Sequence, residues 1–505
     1  MATTRWHKPI AAGGLAVLVI ASSWLARPSQ GHPRQVVAQA KADRIPTKSY
    51  YGVSRCSDLG CHSTPDVGKQ KDIILCDYDE VLTWSKKDKH NDAYKVLNEE
   101  RGRQMAKLLG YDVAKSPLCI SCHAAVVKNE NIEKFTLSEG VGCGACHGFH
   151  DDWITPHGLE RPKWRGLSRK VKEEQYGMRD LWDPEKRAVL CASCHIGNAK
   201  EGKVVTHEMY AVGHPPLPSI EMATFADAMP KHWKYLAEKP KKVQTILEYD
   251  AAKSGLERSQ FVVVAALVSF RESMKLLADQ AEADKDWPEL AQFDCNACHH
   301  DLKADSWRQK RGYAGKPGRP TKRAWVDALL PLAITHASKG DAEQKKKLNG
   351  EFDDKKKELT AAFDAQPFGD PKRVAESARQ AAKWADGVLN DIRNTSVDHA
   401  GAEKLLDELG KQAQSRLLDF DSARQLTWAF REIMKETDPQ GFKNQDTVSA
   451  FKELEQQLKL DLPEGRKEIA KDYLKDWLES LNKFEPEPFQ QSFKRLFKKV
   501  KEDAK

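Results

Sequence analysis

The sequence predicts a mainly α-helical protein: a loop-rich N-terminal domain followed by a helical bundle. Three observations predict it. Every cysteine lies before residue 300, and ten of the eleven stand in short runs closed by histidine. Residues 306–505 hold no cysteine and carry apolar stripes at helical spacing. Proline and glycine fall between those stripes rather than within them, as helix breaks do.

The histidine-closed runs define the first domain, residues 51–305. Four are regular: Cys119-Ile-Ser-Cys122-His123, Cys143-Gly-Ala-Cys146-His147, Cys191-Ala-Ser-Cys194-His195 and Cys295-Asn-Ala-Cys298-His299. The fifth is stretched, Cys56-Ser-Asp-Leu-Gly-Cys61-His62. A Cys-x-x-Cys-His run is the signature of covalent c-type haem attachment. Two thiols one helical turn apart bond the two vinyl groups of one porphyrin, and the next residue carries an imidazole to the iron. The expected cofactor is therefore haem c, five copies, with His62, His123, His147, His195 and His299 as proximal ligands. In the stretched run two extra residues must bulge, and Gly60 tolerates the backbone angles that requires. Its competing reading is a Cys56–Cys61 disulfide. Zinc on Cys119, Cys122, Cys143 and Cys146 competes for the regular runs. Against zinc stand the histidine after every pair, the wide separation of the other pairs, and a chain start like that of an exported protein. Cys76 is the cysteine left over, expected as a buried thiol in the apolar run Ile73-Ile74-Leu75.

Ahead of this domain, residues 1–30 read as a signal peptide or N-terminal membrane anchor. Arg5, His7 and Lys8 precede the apolar run Ile10–Ala26. Positive charge before an apolar run keeps the start inside and sends the rest outward. Both a cleaved signal and a retained anchor fit. Residues 31–50 read as a linker, with Gly31, Pro33 and Pro46. The expected location is the periplasmic side of the cytoplasmic membrane, soluble or tethered through the N-terminus. The run Phe261–Phe270 is too short to span a bilayer and reads as a buried helix. Net charge is +7 on protein groups alone. Five haems would add roughly ten propionates, so lysine content points to no nucleic-acid partner.

Residues 306–505 are expected to be helical throughout. Ile469, Tyr473, Trp477 and Leu481 form one i, i+4 stripe; Leu426, Phe430, Ile433 and Met434 form another. Breaks are expected at Pro367–Pro371, Asp438–Gly441 and Leu462-Pro463. The basic end (Lys494, Lys498, Lys499, Lys501) reads as a solvated helix terminus favoured by the helix dipole.

The sixth ligand decides between carrier and enzyme. An iron with two axial imidazoles carries electrons, whereas an open one can bind a small molecule. Nine histidines beyond residue 50 are not proximal. The best distal candidates are His90, His157, His207 and His214. His207 and His214 would share one helix face, two turns apart, with Pro215 and Pro216 ending the helix. His90 opens a helix-like stretch to Gly110, and His157 stands in a loop between Pro156 and Gly158. His150, His232 and His300 are weaker candidates. Four candidates for five irons leave one sixth position unassigned.

Over roughly residues 50–335 the chain resembles the multihaem cytochromes c related to the tetrahaem cytochrome that accepts electrons from hydroxylamine oxidoreductase. The resemblance rests on the stretched first run, Lys89-His90-Asn-Asp-Ala-Tyr94, Gly140–His147 with Trp153 and His157, Leu190–His195, His207–Pro215, Phe293–Leu302 and Ser306–Pro320. It implies haem-based electron transfer, with His90, His157, His207 and His214 at distal positions. The chain departs in having five sites and two extra residues in the first. It also lacks the Cys-x-x-Cys-Lys site of the pentahaem nitrite reductases. The expectation is an electron-transfer cytochrome working between redox partner proteins. The alternative is a haem enzyme with one open high-spin iron acting on a small nitrogen or sulfur species.

Overall fold

The computed structural model describes residues 52–57, 61–65, 75–125, 137–148, 151–250, 254–283, 287–300, 315–415, 418–459 and 473–503. The N-terminal run, the linker, Gly60, His150, Ser306, Leu462, Pro463 and Ile469 lie outside them. Among the described residues the protein is helical, with two isolated β-bridges and no named strand.

The first helices are short: α1 (Val53–Ser57), α2 (Glu80–Lys87), α3 (Glu100–Leu109), α4 (Pro117–His123), α5 (Cys143–His147), α6 (Asp151–Leu159), α7 (Arg161–Arg165), α8 (Arg169–Glu174), α9 (Pro184–His195), α10 (His207–Ala211), α11 (Met222–Ala228) and α12 (Lys241–Ile246). Most are too short to be stable alone, since a helical nucleus is costly and each added residue returns little. The later helices are long: α13 (Glu257–Glu282), α14 (Leu330–Ala337), α15 (Ala342–Asp364), α16 (Pro371–Ile392), α17 (His399–Gln412), α18 (Phe420–Thr437), α19 (Gln445–Gln457), α20 (Tyr473–Asn482) and α21 (Pro486–Asp503).

Local chemistry explains the long helices. Asp341, Asp370, Asp398 and Asp419 each precede a helix and accept a hydrogen bond from a first-turn N–H. That satisfies donors which would otherwise be orphaned, typically about 1 kcal/mol per cap. Pro371 follows its cap at the first helical position, where a missing N–H costs nothing. The expected breaks at Pro367–Pro371 and Asp438–Gly441 both fall between helices. Leu426, Phe430, Ile433 and Met434 are all fully buried on α18, and Trp477 and Leu481 are buried on α20.

The core is centred on α13. Its run Phe261–Phe270 is buried throughout, on a helix of 26 residues. α13 packs most extensively along α16, whose small Ala378, Ala381, Ala382 and Ala385 let the two backbones approach. One apolar cluster runs from Ala188 in α9 to Val500 in α21, so the core is continuous across residue 305. Polar ties reinforce it. Arg271 of α13 reaches Glu185 of α9 at 2.8 Å and Asp386 of α16 at 2.9 Å. Lys435 of α18 reaches Asp227 of α11 at 2.7 Å. The basic C-terminus is not wholly solvated: Lys499 pairs with Asp446 at 2.5 Å and Lys501 with Asp407 at 2.7 Å.

Before α9 the packing is different. One small apolar cluster there holds Leu97, Met105, Val113 and Ala114, and partly buried Leu75 and Trp182 pack against another, Leu236, Val243 and Leu247, from beyond α9. No described helix is long and apolar enough to cross a membrane.

Four local expectations need correction. His207 and His214 do not share a helix. α10 ends at Ala211, and Gly213 takes φ 112°, a conformation that L side chains rarely adopt. His157 lies inside α6 rather than in a loop, because Pro156 is accommodated there. His90 sits in a turn before a 3₁₀ segment, Lys95–Asn98, and α3 starts only at Glu100, closing on left-handed Gly110 (φ 76°) as expected. Cys76 is half-buried rather than buried.

Candidate haem sites

In the regular runs, local helix sets the thiols. Cys119 to His123 lie within α4, Cys143 to His147 form α5, and Cys191 to His195 are the last turns of α9. Side chains three apart on a helix face the same way, which suits two bonds to one porphyrin edge. Cys295–Ala297 form a 3₁₀ turn, and the His299 N–H bonds the Cys295 carbonyl at 2.8 Å. In the stretched run, the His62 N–H bonds back to the Cys56 carbonyl at 3.1 Å, closing a wider loop in place of a single helical turn. No disulfide joins Cys56 to Cys61, and both residues are half-buried.

Each of the four distal candidates stands against one motif histidine. The ring centres are 5.8 Å apart for His62–His157, 6.3 Å for His90–His195, 6.3 Å for His123–His214 and 6.2 Å for His207–His299. An imidazole nitrogen binds a first-row metal at about 2 Å and lies about 1.1 Å from its ring centre, so two rings facing one metal have centres about 6.2 Å apart. The four separations fit an iron between each pair. The planes are near-parallel in His62–His157 (8°) and near-perpendicular in His90–His195 (83°) and His123–His214 (81°).

Four of the outer ring nitrogens are held. Nδ1 of His123 bonds the Ala93 carbonyl at 2.6 Å, and Nδ1 of His214 bonds the Pro215 carbonyl at 2.7 Å. Nδ1 of His62 faces a carboxylate oxygen of Glu80 at 2.8 Å, and Nδ1 of His90 faces Asp88 at 2.9 Å. Such partners fix the tautomer and leave Nε2 for the metal. Burial pushes His147, His157, His195 and His214 down to about 4, so these rings are neutral and their lone pairs free near pH 7. His62 goes the other way: burial lowers it, but the Cys76 thiol and Glu80 carboxylate outweigh that and raise it to about 10.

Buried polar atoms without partners provide a second check on the fit. Arg323 has two such nitrogens, Nε and Nη2, and Arg187 has Nε. Arg323 lines an open cavity with His195, Tyr210 and Trp325, and interacts with Cys295. Arg187 lies one turn before Cys191, its guanidinium 3.8 Å from the centre of the Phe261 ring. A buried guanidinium nitrogen without an acceptor is costly. A haem brings two propionate carboxylates, acceptors of the kind these three nitrogens lack, so the residues present fit haem.

The motifs also neighbour one another. The Cys56 and Cys143 thiols act on each other, as do those of Cys122 and Cys194. Cys146 lies close enough to Cys191 and Cys194 for electrostatic interaction. His207 and His214, seven residues apart, belong to different histidine pairs. Going by these contacts, the runs follow one another as first, third, fourth, second and fifth.

The third run differs. No ring of another described residue stands against His147 as the other pairs do. His232 acts on it electrostatically, and the buried Nδ1 of His232 has no partner. The run is clasped from outside by Arg179, which donates to the carbonyls of Ala145 (2.9 Å) and Cys146 (2.6 Å).

Glu80, Asp88, Arg179, Arg187 and Arg323 went unnoticed in the sequence. Asp88, two residues before His90, carried a local signal. The others are recognisable only by what they touch.

Residues 61–148 match the family described as cytochrome c554 and c-prime. No curated protein and no solved structure matches the chain. The matched stretch runs from the end of the first motif through the third. It supports a multihaem cytochrome c family, with covalently bound haem c and an electron-transfer role.

Proposed function

We propose that this protein is a five-haem c-type cytochrome that relays single electrons between redox partner proteins. The observation that carries the reading is the set of four histidine pairs with ring centres 5.8–6.3 Å apart, each joining a motif histidine to a candidate from elsewhere in the chain. The cofactor supplies reversible one-electron chemistry at iron when bound. The chain's own part is to hold, orient and insulate. The ten motif cysteines fix each ring. His62, His123, His147, His195 and His299 bind on one side, and His157, His214, His90 and His207 close four of the five on the other. Closed sites exclude substrate and water, so such sites carry electrons without other chemistry. The succession of thiol contacts supports a continuous relay. We place the protein on the periplasmic side of the membrane, where haem attachment occurs, either soluble or tethered at its N-terminus. Its partners should bind weakly, over small interfaces, as transient redox partners do.

Mass spectrometry and haem quantification of the exported protein should give five haems per chain. EPR should show four of them low-spin. His157→Ala should turn one more haem high-spin and leave the total unchanged. A colourless chain, or as many low-spin haems in that variant as in the unmodified protein, would sink the proposal.

His147 favours a second reading at one site. With no facing ring among the described residues, its iron would be open, with His232 nearby to steady a small bound molecule. That is the enzyme alternative, with a small nitrogen or sulfur species as substrate. A high-spin signal that shifts with nitrite, hydroxylamine or cyanide supports it, and five low-spin haems exclude it.

A further inference from the structure

Two of the held imidazoles, His62 and His90, meet a carboxylate, and His62 alone of the two has a thiol grouped with it. Nδ1 of His62 meets an oxygen of Glu80 at 2.8 Å, and the two side chains are only 21% and 15% exposed. The other oxygen of Glu80 accepts the backbone N–H of Asp77 at 2.7 Å and of Tyr78 at 3.2 Å. The carboxylate therefore has little freedom to turn away. The ring is tethered too, because the His62 carbonyl accepts the Val81 N–H at 2.9 Å from the first turn of α2. The Cys76 thiol completes the cluster, with ligand-type atoms of His62, Cys76 and Glu80 all within 4.8 Å of one another. By contrast, both rings of the His123–His214 pair give their Nδ1 hydrogens to neutral backbone carbonyls.

We infer that Glu80, with Cys76 beside it, is a positioning residue that makes the haem on His62 a low-potential end of the relay. This rests on the haem reading above and adds the direction of electron flow. A carboxylate that takes the outer N–H of an axial histidine raises the basicity of the ring. A more basic, partly anionic imidazole stabilises ferric over ferrous iron and lowers the reduction potential. A backbone carbonyl does this more weakly because it carries no full charge. Arg161 and Arg165 approach the same neighbourhood, Arg161 towards the Cys61 sulfur at 3.5 Å and Arg165 onto the Tyr78 hydroxyl at 2.5 Å. With the His62 run at one end of the succession of motifs, electrons would leave that end and move inward.

The test is a potentiometric titration of the intact holoprotein, followed optically and by EPR. His157→Ala and His214→Ala each remove one low-spin component and so identify the haems on His62 and His123. In the unmodified protein, the component marked by His157→Ala should titrate below the one marked by His214→Ala. Glu80→Gln should move the first upward by at least tenfold in its oxidised-to-reduced ratio, about 59 mV for one electron. Glu80→Asp, which keeps the charge, should recover part of that shift, and Cys76→Ser should cause a smaller one. The reverse order in the unmodified protein overturns the inference even if Glu80→Gln fails to fold. So does an unmoved component in a Glu80→Gln protein that retains five haems. Stoichiometric zinc or another non-iron metal in the holoprotein also overturns it, because the three side chains would then be its ligands. If no haem is bound at all, the failure lies with the proposed function.

Discussion

The region before α9 and the region from α13 onward are built on opposite principles. The first is made of short helices, many of five to ten residues, around small apolar clusters and half-buried thiols. The second is made mostly of long capped helices whose inward faces are buried to the last residue. A helix of five residues gains too little from its own hydrogen bonds to persist. Something else must order the first region, and the gaps between facing histidines are where porphyrin rings would do so. The second region completes its own core. α13 joins the two: it belongs by position to the cysteine-bearing half but packs into the bundle along α16.

The comparison is most easily broken by withholding haem. When the chain is made in cells that cannot attach haem, limited proteolysis should clear residues 52–180 first. Fragments containing α13 and the helices after residue 329 should persist. Even digestion of the whole chain would mean that the bundle, too, depends on the cofactor.

Core truncation should act on the bundle alone. Phe430 is fully buried, with ring centres of Phe493 at 5.3 Å and Phe451 at 6.0 Å. Phe430→Ala should cost about 3–5 kcal/mol in denaturant unfolding, with the haem spectrum of the folded protein unaltered. A changed axial-ligand spectrum would show that the two regions are less separable.

The seam between the regions should respond to pH. Glu221 caps α11, accepting the N–H groups of Ala223 at 3.1 Å and Thr224 at 2.7 Å, and is only 1% exposed. Burial raises its carboxyl from 4.5 to about 7. The folded state then binds a proton that the unfolded chain has released, so stability falls as pH rises between these two values. The loss should be about 3 kcal/mol, complete above pH 7. Glu221→Gln should flatten that slope, and an unchanged slope would assign it to other groups.

A smaller effect should come from Arg271→Ala, which removes the ties from α13 to Glu185 and Asp386. Asp386 is 45% exposed and partly solvated in either state, so we expect about 2 kcal/mol rather than the full cost of breaking a buried pair. If the loss comes with a shift in haem potential, α9 transmits strain from the bundle to the fourth motif.

Sequence reading went furthest where the information is local. The five motifs are recognisable because thioether attachment needs two thiols and a histidine within one short turn. The stripe Leu426, Phe430, Ile433 and Met434 is recognisable because a helix repeats every 3.6 residues. The breaks at Pro367–Pro371 and Asp438–Gly441 are recognisable because proline and glycine act on their own backbone. The reading failed where one residue overrode a periodicity. Gly213 stopped the helix that would have aligned His207 with His214, and Pro156 did not stop the helix that carries His157.

Sequence alone thus determined where the candidate haem motifs lie, and that helices follow them. Tertiary structure alone decided which distant histidine faces which motif, that Glu80 rather than a carbonyl meets His62, and that His147 faces no described ring. Attachment is encoded in neighbours along the chain. The facing histidine pairs join residues up to 105 positions apart, as His90 and His195 are, and only folding brings those together.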